Sequence, residues 1–427
     1  MRGKLSSWSY ICRGGVVMKH IIIGASAAGI SAAETLRRLD ENCEIVMISE
    51  DKYIYSRCML HHYISHHRTL EELSFVDKDF FEKNRIKWIK GKSAKSINPD
   101  KKVVLLDDGE EVAYDKLLIA TGARATIPPI ENLREGTNVH TLRDLKDILS
   151  LDELAGKYKN AVVIGAGLVG LDAISALVER NVNVSVMEMS DRILPLQLDK
   201  EAANIYEEEL KKRNVSIFTN VKVVSTTLGD DNKVISVNLE DGRQIPCDFV
   251  VVAAGVRANT EFLEGSGVKV ERGIVIDENL RTNIANIYAA GDVCGTGIWP
   301  IAVKQGRYAA YNMVGKEEKK FNDYFQFKNT LNFFGIKTVS IGDINDNNEE
   351  VDVDIYRNKN LYKKIVHKDG IVKGILFQGN IDYCGVWTQI IKNKIDISSI
   401  DNKSIFDINY GDFFQIDEKG KFSYNNK

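Results

Sequence analysis

The sequence is short of several features that mark other classes of protein. Its six cysteines are scattered, with no Cys-x-x-Cys pair and no zinc spacing, so structural zinc, cluster ligation and a disulfide framework are not expected. No apolar run approaches the roughly 18 residues of a membrane span. The net charge of -3 gives no footprint for nucleic acid. These absences predict a cytoplasmic protein with no metal site, no nucleic-acid partner and no membrane partner.

One nucleotide-binding layout is present twice. The first copy leads an apolar run into Gly24-Ala25-Ser26-Ala27-Ala28-Gly29, and the next apolar run ends at Glu50. The second copy is Gly165-Ala166-Gly167-Leu168-Val169-Gly170, and its next apolar run ends at Glu188. In this layout small residues let the backbone approach a pyrophosphate at a helix N-terminus, and the later acid accepts a ribose hydroxyl. Two copies predict two bound dinucleotides.

The duplication extends beyond the two turns. After each acid comes an Asp-Gly hairpin signal, at Asp108-Gly109 in the first copy and Asp241-Gly242 in the second. A buried strand then ends in glycine, at Thr121-Gly122 and at Ala254-Gly255 respectively. This is an internal repeat at the scale of a domain.

With Asn286-Ile287-Tyr288-Ala289-Ala290-Gly291-Asp292-Val293, these motifs resemble the FAD-dependent pyridine-nucleotide oxidoreductases, over residues 18 to about 315. Within that superfamily the sequence is most similar to NADH:rubredoxin reductase and the flavin module of assimilatory nitrite reductase. The resemblance implies that the first turn holds FAD and the second holds NADH. It assigns FAD to Gly24, Ser26, Ala27, Ala28, Gly29, Glu50, Arg57, Thr121, Gly122, Gly291 and Asp292, where Asp292 bonds the ribityl chain. It assigns NADH to Gly165, Gly167, Leu168, Val169, Gly170, Glu188 and Gly255.

The expected fold class is α/β, with two Rossmann-like domains of the glutathione-reductase type and a small C-terminal α+β domain. The flavin domain is predicted to comprise residues 18–127 and 254–320, with the nucleotide domain, 128–253, inserted between them. The C-terminal domain is predicted at 321–427. Residues 1–17 have no periodicity and are expected to be a leader that is disordered or not native, with Met18 as the hypothetical start.

The choice of nicotinamide nucleotide depends on Glu188. A carboxylate there accepts hydrogen bonds from the 2'-hydroxyl of NADH and repels the 2'-phosphate of NADPH. Arg192 is the opposing signal, because an arginine four residues later could bind that phosphate. Since Asp191-Arg192-Ile193-Leu194-Pro195 is generic in the family, NADH is the prediction.

The segment from Tyr55 to Leu60 is expected to lie along the isoalloxazine ring. It is similar to the Tyr-x-Arg/Lys-Pro-x-Leu pattern of rubredoxin-reductase-like relatives, with Cys58 in the place of proline. In coenzyme A disulfide reductases and NADH peroxidases a cysteine near this point is the redox centre, but here Met59, Leu60 and His61 replace the Gly-Leu-Pro that follows it. Two interpretations stay open: a redox-active thiol activated by neighbouring cationic groups or a helix N-terminus, and a small apolar residue.

Four histidines follow Cys58. His62 and His66 are spaced as one helical turn, but no carboxylate or cysteine completes a metal ligand set, so a metal is not expected. In ferredoxin-reductase-like relatives a lysine at the position of His62 pairs with a glutamate at the position of Asp172. The sequence therefore predicts a His62 and Asp172 couple near flavin N5, against the alternative of two unrelated polar residues.

The resulting functional prediction is an enzyme that passes hydride from NADH to FAD and electrons onward. By resemblance, the leading acceptor is a small iron protein such as rubredoxin, and a homodimer is possible. The first alternative is a disulfide, peroxide or oxygen reductase that uses Cys58. The second is a flavoprotein that senses NADH without turnover.

Overall fold

The computed structural model of the protein describes residues 17–315, 318–322, 328–345, 350–359, 361–398, 400, 404–416 and 418–424. The predicted leader, residues 1–17, lies outside these ranges except for Val17. The α-helices are α1 (Ala27–Leu39), α2 (His61–Ile64), α3 (Phe80–Lys83), α4 (Leu145–Lys157), α5 (Leu168–Glu179), α6 (Lys200–Lys211), α7 (Trp299–Val314) and α8 (Cys384–Asn393). No helix of the described ranges is both long and apolar enough to cross a membrane.

The described ranges also contain strands, several of which follow one another without an intervening α-helix. They are β1 (Lys19–Ile23), β2 (Glu44–Ser49), β3 (Ile86–Lys90), β4 (Ala94–Asn98), β5 (Val103–Leu106), β6 (Glu111–Ala113), β7 (Lys116–Ile119), β8 (Ala123–Ala125), β9 (Val139–Thr141), β10 (Asn160–Ile164), β11 (Asn183–Met187), β12 (Ser216–Phe218), β13 (Val223–Leu228), β14 (Val234–Leu239), β15 (Gln244–Pro246), β16 (Phe249–Val252), β17 (Val256–Ala258), β18 (Ile287–Ala289), β19 (Lys328–Phe333), β20 (Ile336–Gly342), β21 (Asp352–Asn358), β22 (Leu361–Lys368), β23 (Ile371–Gln378), β24 (Phe414–Ile416) and β25 (Phe422–Tyr424).

The chain divides into two compact units. Unit 1 comprises Met1–Ile54, Phe75–Ala123 and Ala258–Asn322, and unit 2 comprises Tyr55–Ser74, Arg124–Arg257 and Asp323–Lys427. The segment Tyr55–Ser74 therefore belongs to unit 2, whereas the predicted boundaries put it in the flavin domain. The boundaries of the flavin, nucleotide and C-terminal domains stay a prediction.

Unit 1 is built on a five-stranded parallel sheet in the order β18-β7-β1-β2-β3. Its central strands are apolar runs, because a parallel sheet covered on both faces has no solvent side. Ile22 and Met47 pack with α1 and α7 on one face, and Ile21 and Ile48 pack on the other. The antiparallel strands β4, β5 and β6 form a separate three-stranded sheet with a hairpin at Gly109.

Unit 2 repeats that architecture. Its parallel sheet has the order β12-β11-β10-β16-β9, and β13, β14 and β15 form the matching antiparallel sheet, with a hairpin at Gly242. In both units the glycine-rich turn connects the first strand of the layout to a helix, and the strand after the helix pairs in parallel with the first. The predicted repeat and α/β fold class are confirmed.

The C-terminal part of unit 2 is an antiparallel sheet in the order β19-β20-β23-β22-β21, with α8 packed on it. This sheet is anchored on α6 by hydrogen bonds. The Tyr206 hydroxyl donates to the carbonyl of Ile336 at 2.8 Å, and the Tyr362 hydroxyl donates to Asp199 Oδ2 at 2.6 Å. Asp199 also caps the N-terminus of α6 by accepting from the Ala202 N–H. One acid thus stabilises both the helix and its contact with the sheet.

Candidate active site

The first glycine-rich turn lies between β1 and α1 in unit 1. Gly24 has φ +112°, and a Cβ on it would lie 2.1 Å from the carbonyl oxygen of Ala120. A Cβ on Gly29 would lie 1.9 Å from the oxygen of Gly24. Ala27 and Ala28 are buried in the first turn of α1. Packing within the protein therefore requires both terminal glycines of this motif.

Ser26, the middle position, is the N-cap of α1 but makes no capping hydrogen bond with its side chain. Its backbone is extended, with φ -117° and ψ -160°. No residue in the first turn of α1 is acidic. The N–H groups at this helix end are therefore left for another acceptor, and an anion is the acceptor that such an end favours.

The other residues assigned to FAD lie in unit 1, apart from Arg57. Thr121 and Asn259 exchange hydrogen bonds: Thr121 Oγ1 donates to the Asn259 carbonyl at 2.9 Å, and Asn259 Nδ2 donates to the Thr121 carbonyl at 3.0 Å. Gly291 has φ +86° and leads into the short 3-10 turn that contains the half-buried Asp292. Glu50, at the end of β2, is exposed and makes no hydrogen bond or ion pair with any residue that the structure describes.

Sequence reasoning missed Gln305. This side chain is 1% exposed, and its Oε1 accepts the Gly291 N–H at 2.8 Å, which fixes the loop before Asp292. The sequence did contain a signal for it, because Gln305 is a polar residue on the face of α7 whose other buried residues are mostly small or apolar. Helix α7 also packs very closely on α1, because a Cβ on Gly306 would lie 2.1 Å from the carbonyl oxygen of Ala28.

The second glycine-rich turn lies between β10 and α5 in unit 2. Gly165 has φ +102°, and a Cβ there would lie 2.5 Å from the Ala253 oxygen, while a Cβ on Gly170 would lie 2.0 Å from the Gly165 oxygen. Gly167 differs: its φ is -77°, and a Cβ would meet no protein atom within 4 Å. Neither backbone conformation nor protein packing requires glycine at 167, so the open space there fits a ligand that approaches the backbone.

Leu168 and Val169 form the first turn of α5, which has no capping side chain and no acidic residue. Gly255 lies just after β16 with φ +95°, and its carbonyl accepts the Thr126 N–H at 2.9 Å. The residues assigned to NADH in the second copy thus occupy the same topological positions as those assigned to FAD in the first.

Both oxygens of Glu188 bind backbone donors. Oε2 accepts the Ala166 N–H and Oε1 accepts the Ser190 N–H, each at 2.8 Å. The carboxylate is therefore fixed between the glycine-rich turn and the loop that follows β11. An ionised carboxylate has about four acceptor positions, so two remain for ribose hydroxyls.

Arg192, the signal for NADPH in the sequence, is engaged elsewhere. Its Nε donates to the Leu198 carbonyl at 2.9 Å, its Nη2 to the Pro195 carbonyl at 3.2 Å and its Nη1 to Asp191 Oδ1 at 2.6 Å. All three guanidinium nitrogens hold groups of the same loop. This removes the strongest sequence argument for NADPH.

Cys58 is exposed in a 3-10 turn, Arg57–Met59, of unit 2. The neighbouring Arg57 forms an ion pair with Asp144, in which Nη2 lies 3.2 Å from Oδ1, and its guanidinium lies 5.0 Å from the centre of the Tyr55 ring. Asp144 is also the N-cap of α4. In the described structure Arg57 is thus bound to α4, and its predicted contact with FAD stays a prediction.

The predicted couple of His62 and Asp172 is wrong by one residue. His61 Nδ1 lies 3.5 Å from Asp172 Oδ1, and no hydrogen bond or ion pair joins Asp172 to His62 among the described residues. His61 begins α2 and its Nδ1 faces Asp172 on α5, whereas the His62 ring lies beside the rings of His61 and His67, with 4.1 and 5.8 Å between the respective centres. A four-residue helix leaves no periodicity from which its inward face could be read.

Burial sets the protonation of this pair. It raises the pKa of Asp172 to about 7, and burial, followed by repulsion from His62 and His67, lowers the pKa of His61 to about 3. The side chains are 26% and 17% exposed, respectively. Near neutral pH, His61 is therefore uncharged, and Asp172 exchanges its proton in the physiological range.

The spacing of His62 and His66 as one helical turn is also wrong. Helix α2 ends at Ile64, and His66 has φ +60°, in the left-handed region. His66 Nε2 instead lies 2.8 Å from Asp152 Oδ1, and His67 Nε2 lies 3.3 Å from Glu179 Oε2. In the described ranges, no group of three or more His, Cys, Asp or Glu side chains is arranged to hold a metal ion.

Two helix N-termini without capping side chains, two glycine-enforced turns and the open space at Gly167 together fit two dinucleotide pyrophosphates. The fold and these turns therefore define a class of α/β proteins that hold two dinucleotides. The profile of the pyridine nucleotide-disulphide oxidoreductase family matches residues 18–306, and that of the rubredoxin NAD+ reductase C-terminal domain matches residues 328–395. The chain belongs to the pyridine nucleotide-disulphide oxidoreductase family. It is an NAD(P)H-dependent FAD oxidoreductase with FAD and NADH as cofactors.

Two curated relatives match over nearly their whole length. The epsilon subunit of NADH-dependent phenylglyoxylate dehydrogenase from Aromatoleum evansii is 31% identical over 403 residues, 91% of this chain and 94% of the relative. NADH-rubredoxin oxidoreductase from Clostridium acetobutylicum is 30% identical over 403 residues, 91% of this chain and 97% of the relative. A crystal structure of NADH:rubredoxin oxidoreductase from Clostridium acetobutylicum has a TM-score of 0.74 at 27% identity, covering 93% of this chain and 99% of that one.

Not every relative is matched in full. Nitrite reductase [NAD(P)H] from Bacillus subtilis is 28% identical over 393 residues, which is 90% of this chain but 48% of the relative. The chain thus spans about half the length of this relative. The predicted family resemblance is confirmed.

Proposed function

We propose that the protein transfers electrons from NADH, through bound FAD, to a small iron protein of the rubredoxin or iron–sulfur type. The match of residues 328–395 to the C-terminal domain of rubredoxin NAD+ reductases carries this proposal. The 30% identity to NADH-rubredoxin oxidoreductase over 91% of the chain supports it. The chemistry that FAD supplies when bound is acceptance of a hydride and release of electrons to the acceptor.

The residues of the chain have separate tasks in this proposal. The first turn, from Gly24 to Gly29, binds the FAD pyrophosphate, and Glu50 and Asp292 accept hydrogen bonds from its hydroxyl groups. The second turn, from Gly165 to Gly170, binds the NADH pyrophosphate, and Glu188 accepts from the adenosine ribose. This division follows the repeat and the family to which the chain belongs.

His61 and Asp172 form the polar pair that we place in the role predicted for His62 and Asp172. Asp172 lies two residues beyond Gly170, on the helix whose N-terminus faces the proposed NADH site. Because burial raises the pKa of Asp172 to about 7, this carboxyl can hold or release a proton at working pH.

The acceptor is tested by anaerobic mixing of the FAD-loaded protein with NADH and one oxidised acceptor at a time. Rubredoxin and a [2Fe–2S] ferredoxin test the proposed class, and ferricyanide serves as an acceptor that needs no docking surface. Rapid reduction of an iron protein at micromolar concentration supports the proposal. Turnover with ferricyanide but with neither iron protein would leave the flavin enzyme intact and exclude the proposed acceptor class.

A second candidate function uses Cys58 to reduce a disulfide, peroxide or oxygen. The exposure of Cys58 favours it, because a redox thiol must be reached by its substrate. Replacement by serine separates the two candidates. If Cys58→Ser keeps full iron-protein reductase activity and wild-type protein shows no thiolate-to-flavin charge-transfer band, the electron-transfer proposal stands and the thiol candidate is excluded.

A further inference from the structure

The loop that follows Glu188 exposes two large apolar side chains. Met189 is 71% exposed and Leu196 is 87% exposed, so nearly all of the Leu196 side chain faces water. The same loop is anchored from within, because three of its apolar side chains are completely buried, namely Ile193, Leu194 and Leu198. An exposed leucine on a firmly anchored loop is presented in a defined position.

Arg192 closes this loop. Its guanidinium holds the carbonyls of Pro195 and Leu198, on both sides of Leu196, and also bonds Asp191. Asp191 in turn lies 2.9 Å from Lys200 Nζ, at the start of α6. The planar guanidinium has donors in fixed directions, so one side chain can fix two carbonyls and a carboxylate at once.

The closed loop is joined to the second glycine-rich turn. The Leu194 N–H donates to the Ala166 carbonyl at 2.9 Å, and the Ala166 N–H donates to Glu188 at 2.8 Å. Leu194 has φ +48°, which its neighbours must hold in place because leucine rarely adopts it. The turn, the acid and the loop are therefore one bonded assembly.

We propose that Arg192 is a positioning residue for the adenosine half of the nicotinamide nucleotide. By fixing the carbonyls on both sides of Leu196, it presents this side chain as an apolar contact for the adenine ring, beside the ribose acid Glu188. The inference rests on the proposed placement of NADH at the second turn. Contact with an apolar surface favours the binding of a flat heteroaromatic ring such as adenine. Leu196 and Met189 are the exposed apolar side chains of that loop.

The test compares NADH with reduced nicotinamide mononucleotide, which has the reactive ring but lacks the adenosine half. For Arg192→Ala and Leu196→Ala in the FAD-loaded enzyme, we expect KM for NADH to rise about fivefold to tenfold with kcat unchanged. The kcat/KM for the mononucleotide should stay within about twofold of wild type, because it does not reach the loop. Arg192→Lys should give an intermediate KM, since an ammonium can still bind one carbonyl.

The control variant is Arg134→Ala. Arg134 also clasps a backbone carbonyl in unit 2, that of Ile127, through two nitrogens at 3.2 and 2.7 Å, but lies on a different loop. It should leave KM for NADH unchanged. Activity with NADPH is also measured. If Arg192 bound the 2'-phosphate of NADPH, Arg192→Ala would lose activity with NADPH selectively.

Three results for Arg192→Ala would overturn the inference. The first is a selective loss of activity with NADPH, and the second is an equal loss of kcat/KM with the mononucleotide and with NADH. The third is an unchanged kcat/KM with all three substrates. Wild-type protein that neither binds NADH nor is reduced by it would instead overturn the proposed function, and the inference with it. The comparison of wild type with Arg192→Ala keeps the two failures distinct.

Discussion

The two glycine-rich turns have the same topology but different degrees of preorganisation. In the first, Ser26 occupies the middle position, and Glu50, which we propose binds the FAD ribose, is exposed without a partner among the described residues. In the second, Gly167 leaves open space, and Glu188 is fixed by two backbone N–H groups. A cofactor that stays bound can organise its own acid, whereas a coenzyme that must bind and leave in each cycle gains from an acid already in place.

The largest expected effect is that of replacing the first glycine of the motif, which is Gly24 in the first turn and Gly165 in the second. Gly24→Ala places a Cβ 2.1 Å from the Ala120 oxygen at φ +112°. We expect it to lower the free energy of unfolding by about 3 to 5 kcal/mol and to prevent FAD retention. Gly109→Ala, also at positive φ but with no atom within 4 Å, should cost only about 1 to 2 kcal/mol. Equal costs in denaturant unfolding would show that strain, and not the close contact, governs this turn.

The next effect distinguishes the two acids. Glu188→Ala removes the acceptor of two backbone donors as well as the proposed ribose contact, so KM for NADH should rise about 10-fold to 100-fold. The preference for NADH over NADPH should fall in the same variant. Glu50→Ala should leave the unfolding free energy of the FAD-free protein unchanged, since Glu50 has no described partner to lose. Comparable destabilisation by both substitutions in FAD-free protein would contradict the difference in preorganisation.

The third expected effect is a dependence of the unfolding free energy on pH, which Asp172 in unit 2 causes. Its folded pKa of about 7 lies above its ordinary value of 3.8, so the folded state binds the extra proton, and the contribution to stability is lost as pH rises from about 4 through 7. The Asp172→Asn variant should lack this decline. The gap in unfolding free energy between the two proteins should therefore change by about 2 to 4 kcal/mol across that range.

His61 contributes with the opposite sign. Its folded pKa of about 3 lies below 6.5, so its contribution to stability increases as pH rises from about 3 to 6.5. The contributions of these two groups therefore oppose each other between about pH 4 and 6.5, and His61→Gln should make the decline due to Asp172 steeper than in wild type. Urea unfolding at several pH values measures both. A flat profile for His61→Gln would show that Asp172 titrates at its ordinary pKa.

The smallest expected effect comes from exchanging the middle residues of the two turns, Ser26 and Gly167. Gly167→Ser should fold with unchanged stability, because no protein atom lies within 4 Å of the new Cβ. It should weaken the binding of NADH by only about 2-fold to 5-fold. Ser26→Gly should retain FAD. Thermal unfolding of Gly167→Ser that shows a large loss of stability would mean that protein packing, and not a ligand, selects glycine at 167.

Strands, turns and hairpins were predictable because their signals are local: apolar runs for β1 and β10, and Asp-Gly pairs at Gly109 and Gly242. The partner of Asp172 was not, since α2 is too short to show which of His61 and His62 points toward α5. The role of Arg192 was equally hidden. Its guanidinium binds main-chain carbonyls, which carry no sequence identity, and only the loop conformation shows that they converge on it.

Anaerobic titration of the FAD-reconstituted protein with NADH tests the central claim, that the two turns hold FAD and NADH for direct exchange. The account predicts one FAD per chain, loss of the visible absorbance of oxidised flavin with about one equivalent of NADH, and return of that absorbance when an oxidised iron protein is added. Protein that is folded but takes up no FAD, or whose flavin stays oxidised in excess NADH, would contradict it.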